Sequence, residues 1–138
     1  MRAAAIDLGK VRVGLAVSDP TGLLAHPRPF LRVSSAKKLV ERLSHWVSEE
    51  AIEVLVLGLP RNMDGSEGLA AKGARRVAQE LEAATGLAVH LVDERWTTVE
   101  ARRRLQEQGL NEREIREKVD SASAALMLQA WLDSERVP

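Results

Sequence analysis

The chain has 138 residues, 45% of them hydrophobic, which suits one domain with a buried core. It contains no cysteine, so disulfides, thiolate metal sites and thiol nucleophiles are excluded, and no apolar stretch approaches the length of a membrane span or a signal peptide. Basic and acidic residues balance at 20 each, which argues against a protein that coats nucleic acid unselectively through phosphate neutralisation.

The charge is unevenly spread. Residues 1–48 carry a balance of +5, and residues 49–68 carry −4. One Phe, three Trp and no Tyr leave little material for extensive base stacking. The expectation is a cytoplasmic protein without a membrane partner.

In chain order, residues 3–7 form an apolar run that ends on Asp7. Gly9-Lys10 supplies a tight connection to Val11–Val17, a β-branched stretch that reads as a second strand. Asp19-Pro20-Thr21-Gly22 is a turn, and residues 23–33 follow as a third strand. His26-Pro27-Arg28-Pro29 implies an edge position there, because each proline lacks a ladder donor. Ser34 or Ser35 caps a helix whose apolar face is Leu39, Val40, Leu43, Trp46 and Val47.

Val54-Leu55-Val56-Leu57 is unbroken and apolar, as a strand covered on both faces would be. A polar loop follows, from Gly58 through Asn62 to Gly68, in which Asp64-Gly65 reads as a turn. A helix then runs to about residue 84, stopped by Thr85-Gly86, and a fifth strand ends at Val92. Thr97 and Glu100 form a capping box for a helix that Gly109 ends. Asn111 should start a short helix, and Asp120 should open a last, mostly apolar one. The expected architecture is α/β: an early antiparallel hairpin, then β-α units, in a mixed five-stranded sheet with helices on both faces. No linker divides residues 1–138, so one domain is expected.

Four acids stand at the ends of these apolar elements: Asp7, the pair Asp93-Glu94, and Asp120. Each has a plain structural alternative. Asp7 can stabilise a turn, Asp120 can cap a helix, and Asp93 and Glu94 can be loop acids with one paired to Arg95. Jointly they mean more. Strand ends and helix N-termini collect on one edge of an α/β sheet, and converging carboxylates repel one another unless a cation joins them. The glycines at 58, 65 and 68 match neither a dinucleotide fingerprint nor a phosphate-binding Gly-Lys-Ser/Thr loop. That loop would instead lie beside the acids and touch a substrate backbone. His26, His45 and His90 lack metal-ligand spacing.

Several blocks of residues resemble the bacterial YqgF (RuvX) family. They are Ala5-Ile6-Asp7-Leu8-Gly9, Arg12 to Asp19, Gly58 to Gly65, Asp93-Glu94-Arg95 with Thr97 to Ala101, and Val119 to Ala124. They follow the family's order and spacing from residue 3 to about residue 133. Members are similar to ribonuclease H in fold, and are described as Holliday junction resolvases and as nucleases that process the 5′ end of pre-16S ribosomal RNA.

The resemblance implies that Asp7, Glu94 and Asp120 are catalytic carboxylates, with Asp93 assisting or orienting. Three acids suit Mg²⁺ or Mn²⁺, and a two-ion site would activate a water and stabilise the leaving 3′ oxygen. Asp7 would bridge both ions. Lys10, Arg12, Asn62 and Arg95 are the expected substrate contacts. The expected partner is nucleic acid: pre-rRNA, within or beside a ribosomal particle, with branched DNA as the alternative substrate. Junction resolution would favour a two-fold dimer, whereas rRNA trimming makes no such demand. A non-catalytic binding module and a nucleotide phosphotransferase are the readings from other classes. Intact acids oppose the first. The second needs another domain to close over its nucleotide, which 138 residues do not hold.

Overall fold

The computed structural model describes residues 1–93, 103, 106, 107 and 109–135, with side chains from 115 to 121 left aside. Among them are five strands and three helices: β1 (Ala3–Leu8), β2 (Arg12–Ser18), β3 (Ala25–Arg32), α1 (Ala36–Glu49), β4 (Val54–Leu59), α2 (Leu69–Thr85), β5 (Val89–Asp93) and α3 (Glu112–Glu135). The strands form one sheet in the order β3-β2-β1-β4-β5. β2 pairs antiparallel with both β1 and β3, whereas β1–β4 and β4–β5 are parallel. The expected mixed sheet is therefore present, with the proline-bearing β3 at its edge.

Strand alternation splits the core in two. Ala4, Ile6, Val13, Leu15, Leu55, Leu57 and Leu59 face α1 and α2, which contribute Leu39, Leu43, Val47, Ala74 and Leu81. Ala3, Ala5, Ala16, Val54 and Val56 face α3, which contributes Ala124, Met127, Leu128 and Leu132. This explains why β4 has no polar side: all six of its residues are buried. The second face is floored largely by alanine, so α3 packs on small side chains.

Local chemistry sets the element ends. Ser35 caps α1, its hydroxyl accepting from the Lys38 N–H. Beyond the Glu50 C-cap, the Ile52 N–H donates to the Val47 carbonyl and the Ala51 N–H to that of Ser48. Ala51 thus takes φ 54 in a slot that favours glycine. α2 ends in the usual way, on Gly86 at φ 73. β3 begins at Ala25 and not at residue 23 because Asp19 holds the preceding turn. Its Oδ1 accepts from the Leu23 and Leu24 N–H groups, and its other oxygen accepts from the Thr21 hydroxyl.

One expectation fails. Asp120 does not open a helix, and Asn111 does not start a short separate one, because α3 runs unbroken from Glu112 to Glu135 with Asp120 in its interior. The start is made by Asn111, whose Oδ1 accepts from the Glu114 N–H at 2.9 Å. Glu114 returns the bond by accepting from the Asn111 N–H at 3.4 Å. Asp-Ser is a poor helical pair, but once a helix is nucleated, crossing two weak residues costs less than restarting it. The capping box at Thr97 and Glu100 lies outside the described residues. Gly109 takes φ 82 after helical Gln106 and Glu107. Among the described residues no helix is long and apolar enough to cross a membrane.

Candidate active site at the parallel strand ends

β1, β4 and β5 run parallel, so Leu8, Leu59 and Asp93 finish at one edge of the sheet. Asp7 is the penultimate residue of β1 and is half-buried. Its side shares the parity of Ala3 and Ala5, which places it on the α3 face. It pairs with Gly14 on β2, and the parallel register that matches Ile6 with Leu57 brings Gly58 alongside on β4. Neither neighbouring strand sets a side chain next to the carboxylate. The turn beyond is equally tight: the Gly9 N–H donates to the Arg12 carbonyl, and a Cβ on Gly9 would lie 2.4 Å from that oxygen.

Asp93 pairs with Leu59 and shares the parity of Val89 and Leu91, which pack on the α1–α2 side. It therefore stands on the face opposite Asp7. Glu94 and Arg95 lie outside the described residues. The backbone of α3 brings position 120 toward Asp7's end of the sheet. Leu132 and Trp131 line a hollow with Met1, Gly22 and Val54, at the start of β1. Position 120 is twelve residues earlier, roughly 18 Å along the axis, and β1 covers roughly 13 Å from Ala3 to Asp7. Among the described residues no three acids or histidines group as metal ligands, and of the expected triad only the Asp7 side chain is among them.

The expected substrate contacts separate. Arg12 lies on the Asp7 face, two residues from Gly14, and its guanidinium sits 4.8 Å over the Phe30 ring. Lys10 lines a cleft of about 260 Å³ with Val13, Ser35 and Leu39, toward α1. The Asn62 amide donates to the Ser66 hydroxyl at 2.9 Å, and Asp64 accepts from Ser66 as well, so Asn62 shapes its own loop. That loop turns at Gly65, φ 92, as its Asp-Gly pair suggests.

Two features were not singled out from the sequence. Arg61 follows β4 by two residues, and its buried Nε has no hydrogen-bond partner among the described residues. Glu67 approaches it at 3.8 Å and also grips Arg75, whose hydrogen bonds hold the Glu67 carboxyl below its usual range. The other is Phe30, visible only once the register is known. His90 is exposed on β5, and its ring lies 5.3 Å from that of Trp131.

A profile of the RuvX family, described as Holliday junction resolvase, matches residues 1–134. Two curated relatives share the name "Putative pre-16S rRNA nuclease". The one from Anaeromyxobacter sp. (strain Fw109-5) is 44% identical over 96% of this chain and 97% of its own. The one from Myxococcus xanthus (strain DK1622) is 42% identical over 100% of this chain and 91% of its own. Among solved structures, Thermus thermophilus RuvC with a Holliday junction substrate superposes at TM-score 0.58 and 15% identity, covering 99% of this chain and 97% of that one. The fowlpox virus resolvase with junction DNA superposes at TM-score 0.62 and 11% identity, covering 99% and 100%. The sheet order and these likenesses make the fold ribonuclease H-like, and the profile match with the close full-length relatives places this chain in the RuvX family.

Proposed function

We propose that the chain is a divalent-metal-dependent endonuclease that hydrolyses phosphodiester bonds of pre-16S rRNA near its 5′ end. It would act in the cytoplasm on a ribosomal precursor, with residues 1–138 as one catalytic domain. The observation that carries this is Asp7: a half-buried carboxylate at the parallel strand ends, flanked by Gly14 and Gly58, in a chain whose close relatives bear the rRNA nuclease name.

Asp7, Glu94 and Asp120 would hold the metal. Strand alternation opposes Asp93 as a ligand beside Asp7, because Asp93 belongs to the α1–α2 face. Helical repeat supports Asp120, which lies four residues before Ala124 and eight before Leu128, both packed on the α3 face of the sheet. An all-oxygen donor set suits the hard cations Mg²⁺ and Mn²⁺. Bound there, they would supply an activated water and neutralise charge on the leaving 3′ oxygen. Asp7 fixes the position of that chemistry on a rigid strand, and the glycines beside it let a substrate backbone approach. Arg12, Lys10 and Arg95 would orient phosphates, and Asn62 would keep its loop in shape at the strand ends.

Branched DNA is the second reading, favoured by the family description and by the two junction-bound structures of similar fold. The deciding experiment incubates a 5′-leader rRNA fragment and a four-way DNA junction in parallel with Mn²⁺ or Mg²⁺. Cutting of RNA alone supports the proposal. Cutting of the junction alone replaces it with the second reading. Cutting that survives a chelator refutes the metal site.

A further inference from the structure

The β2–β3 register has an irregularity beside the candidate active site. Val13 pairs with Leu31 and Leu15 with Arg28, so the single residue Gly14 faces two, Pro29 and Phe30. The bulge turns the Phe30 ring to the Asp7 face, where Arg12 lies 4.8 Å and Arg32 6.0 Å from its centroid. Arg12 and Arg32 are direct cross-strand partners, an arrangement of like charges that is unfavourable unless an aromatic face or an anion lies between them. Phe30 is 37% exposed, on an edge strand where burial would be the cheaper fate of a phenyl ring. Across the sheet the order is Phe30, Gly14, Asp7, so Gly14 is the strand residue between ring and carboxylate. Two strand spacings set them about 10 Å apart.

We propose that Arg12, Phe30 and Arg32 form a ledge for single-stranded nucleic acid, binding the nucleotide next to the one whose phosphate lies at Asp7. Its base stacks on the ring and the guanidinium planes over it, and its phosphate is held by Arg32. A duplex keeps its bases stacked on one another and has none to offer, so the ledge selects an unpaired strand. The inference rests on the nuclease reading for its location and deepens it by naming single-stranded RNA as the substrate class.

The test is equilibrium binding of the full chain in EDTA, where no cutting occurs, to a labelled single-stranded RNA and to the same sequence as a duplex. Wild type should prefer the single strand. Phe30→Ala should weaken that binding about tenfold and leave duplex binding unchanged, and Phe30→Trp should restore it. Arg32→Gln should lower the slope of log affinity against log salt by about 1. Equal single-strand binding by Phe30→Ala and wild type, or loss of duplex binding in the same proportion, overturns the ledge. Cleavage with Mn²⁺ is scored separately: selective binding with no cutting keeps the ledge and removes the nuclease reading, whereas cutting that is indifferent to Phe30 does the reverse.

Discussion

Asp7 and Ala51 show how differently single residues are fixed by their surroundings. Asp7→Asn keeps the shape and removes the anionic ligand proposed for the metal. Its cleavage rate should fall by more than about 100-fold while circular dichroism stays that of the wild type. A variant that still cuts would move the chemistry away from β1. Ala51 is a stability site only. Its φ of 54 is a region that an L-residue occupies at a cost of about 1–2 kcal/mol, partly offset by the greater freedom glycine has when unfolded. Ala51→Gly should therefore raise the urea midpoint, by about 0.5–1 kcal/mol in stability at unchanged slope. No pattern in the sequence announced this site: the helix ends on Glu49-Glu50-Ala51, with no glycine to mark it. Phe30 was equally hidden, because a bulge is a property of two strands together.

Glu50 ties three elements at the end of the sheet away from Asp7. It accepts from Arg2, which precedes β1, at 2.7 Å and from Arg28 of β3 at 3.1 Å, while Arg2 also donates to the Glu50 and Ser18 carbonyls. Burial pushes the Glu50 carboxyl up, but hydrogen bonds from Arg28 and Arg2 outweigh it and hold the group below its ordinary 4.5. A depressed carboxyl stabilises the fold above its unfolded value and loses that contribution as pH falls through the folded one. Glu50→Gln should thus be less stable than wild type by about 1 kcal/mol at pH 7, and the gap should narrow as pH falls below 4.5 in paired thermal melts. A gap that persists in acid would assign the loss to packing. Elements like β4 and α1 were legible because periodicity and burial are local: an unbroken Val-Leu run and a four-residue apolar spacing can each be met in few ways. The start of α3 was misplaced because Asp120 has the chemistry of a cap, and sequence alone does not say that the helix begun at Asn111 runs on through it.

The whole molecule depends on α3 as the cover of the alanine-floored face, and the proposed mechanism depends on it as the bearer of Asp120. Ending the chain before Glu112 would expose Ala3, Ala5, Ala16, Val54 and Val56 together, and the product should be unfolded by circular dichroism at room temperature. Metal should stabilise the intact chain by mass action, about 2.7 kcal/mol at 100 times its dissociation constant. Asp7→Asn should abolish that upward shift in melting temperature. An equal shift in the mutant would place the ion elsewhere. The candidate site was readable as a set of acids but not as a geometry, since parity and sheet order, which oppose Asp93 to Asp7, exist only after folding. The alanine floor then has a further meaning: it is a spacer whose thickness sets how far α3 stands from β1. Ala5→Val is a shim inserted beneath α3, and Ala4→Val is the same shim on the other side of the same strand. Both should destabilise by about 1–3 kcal/mol, but only the first should lift α3 from β1 and, if the proposed site is right, slow cleavage beyond what the lost stability explains.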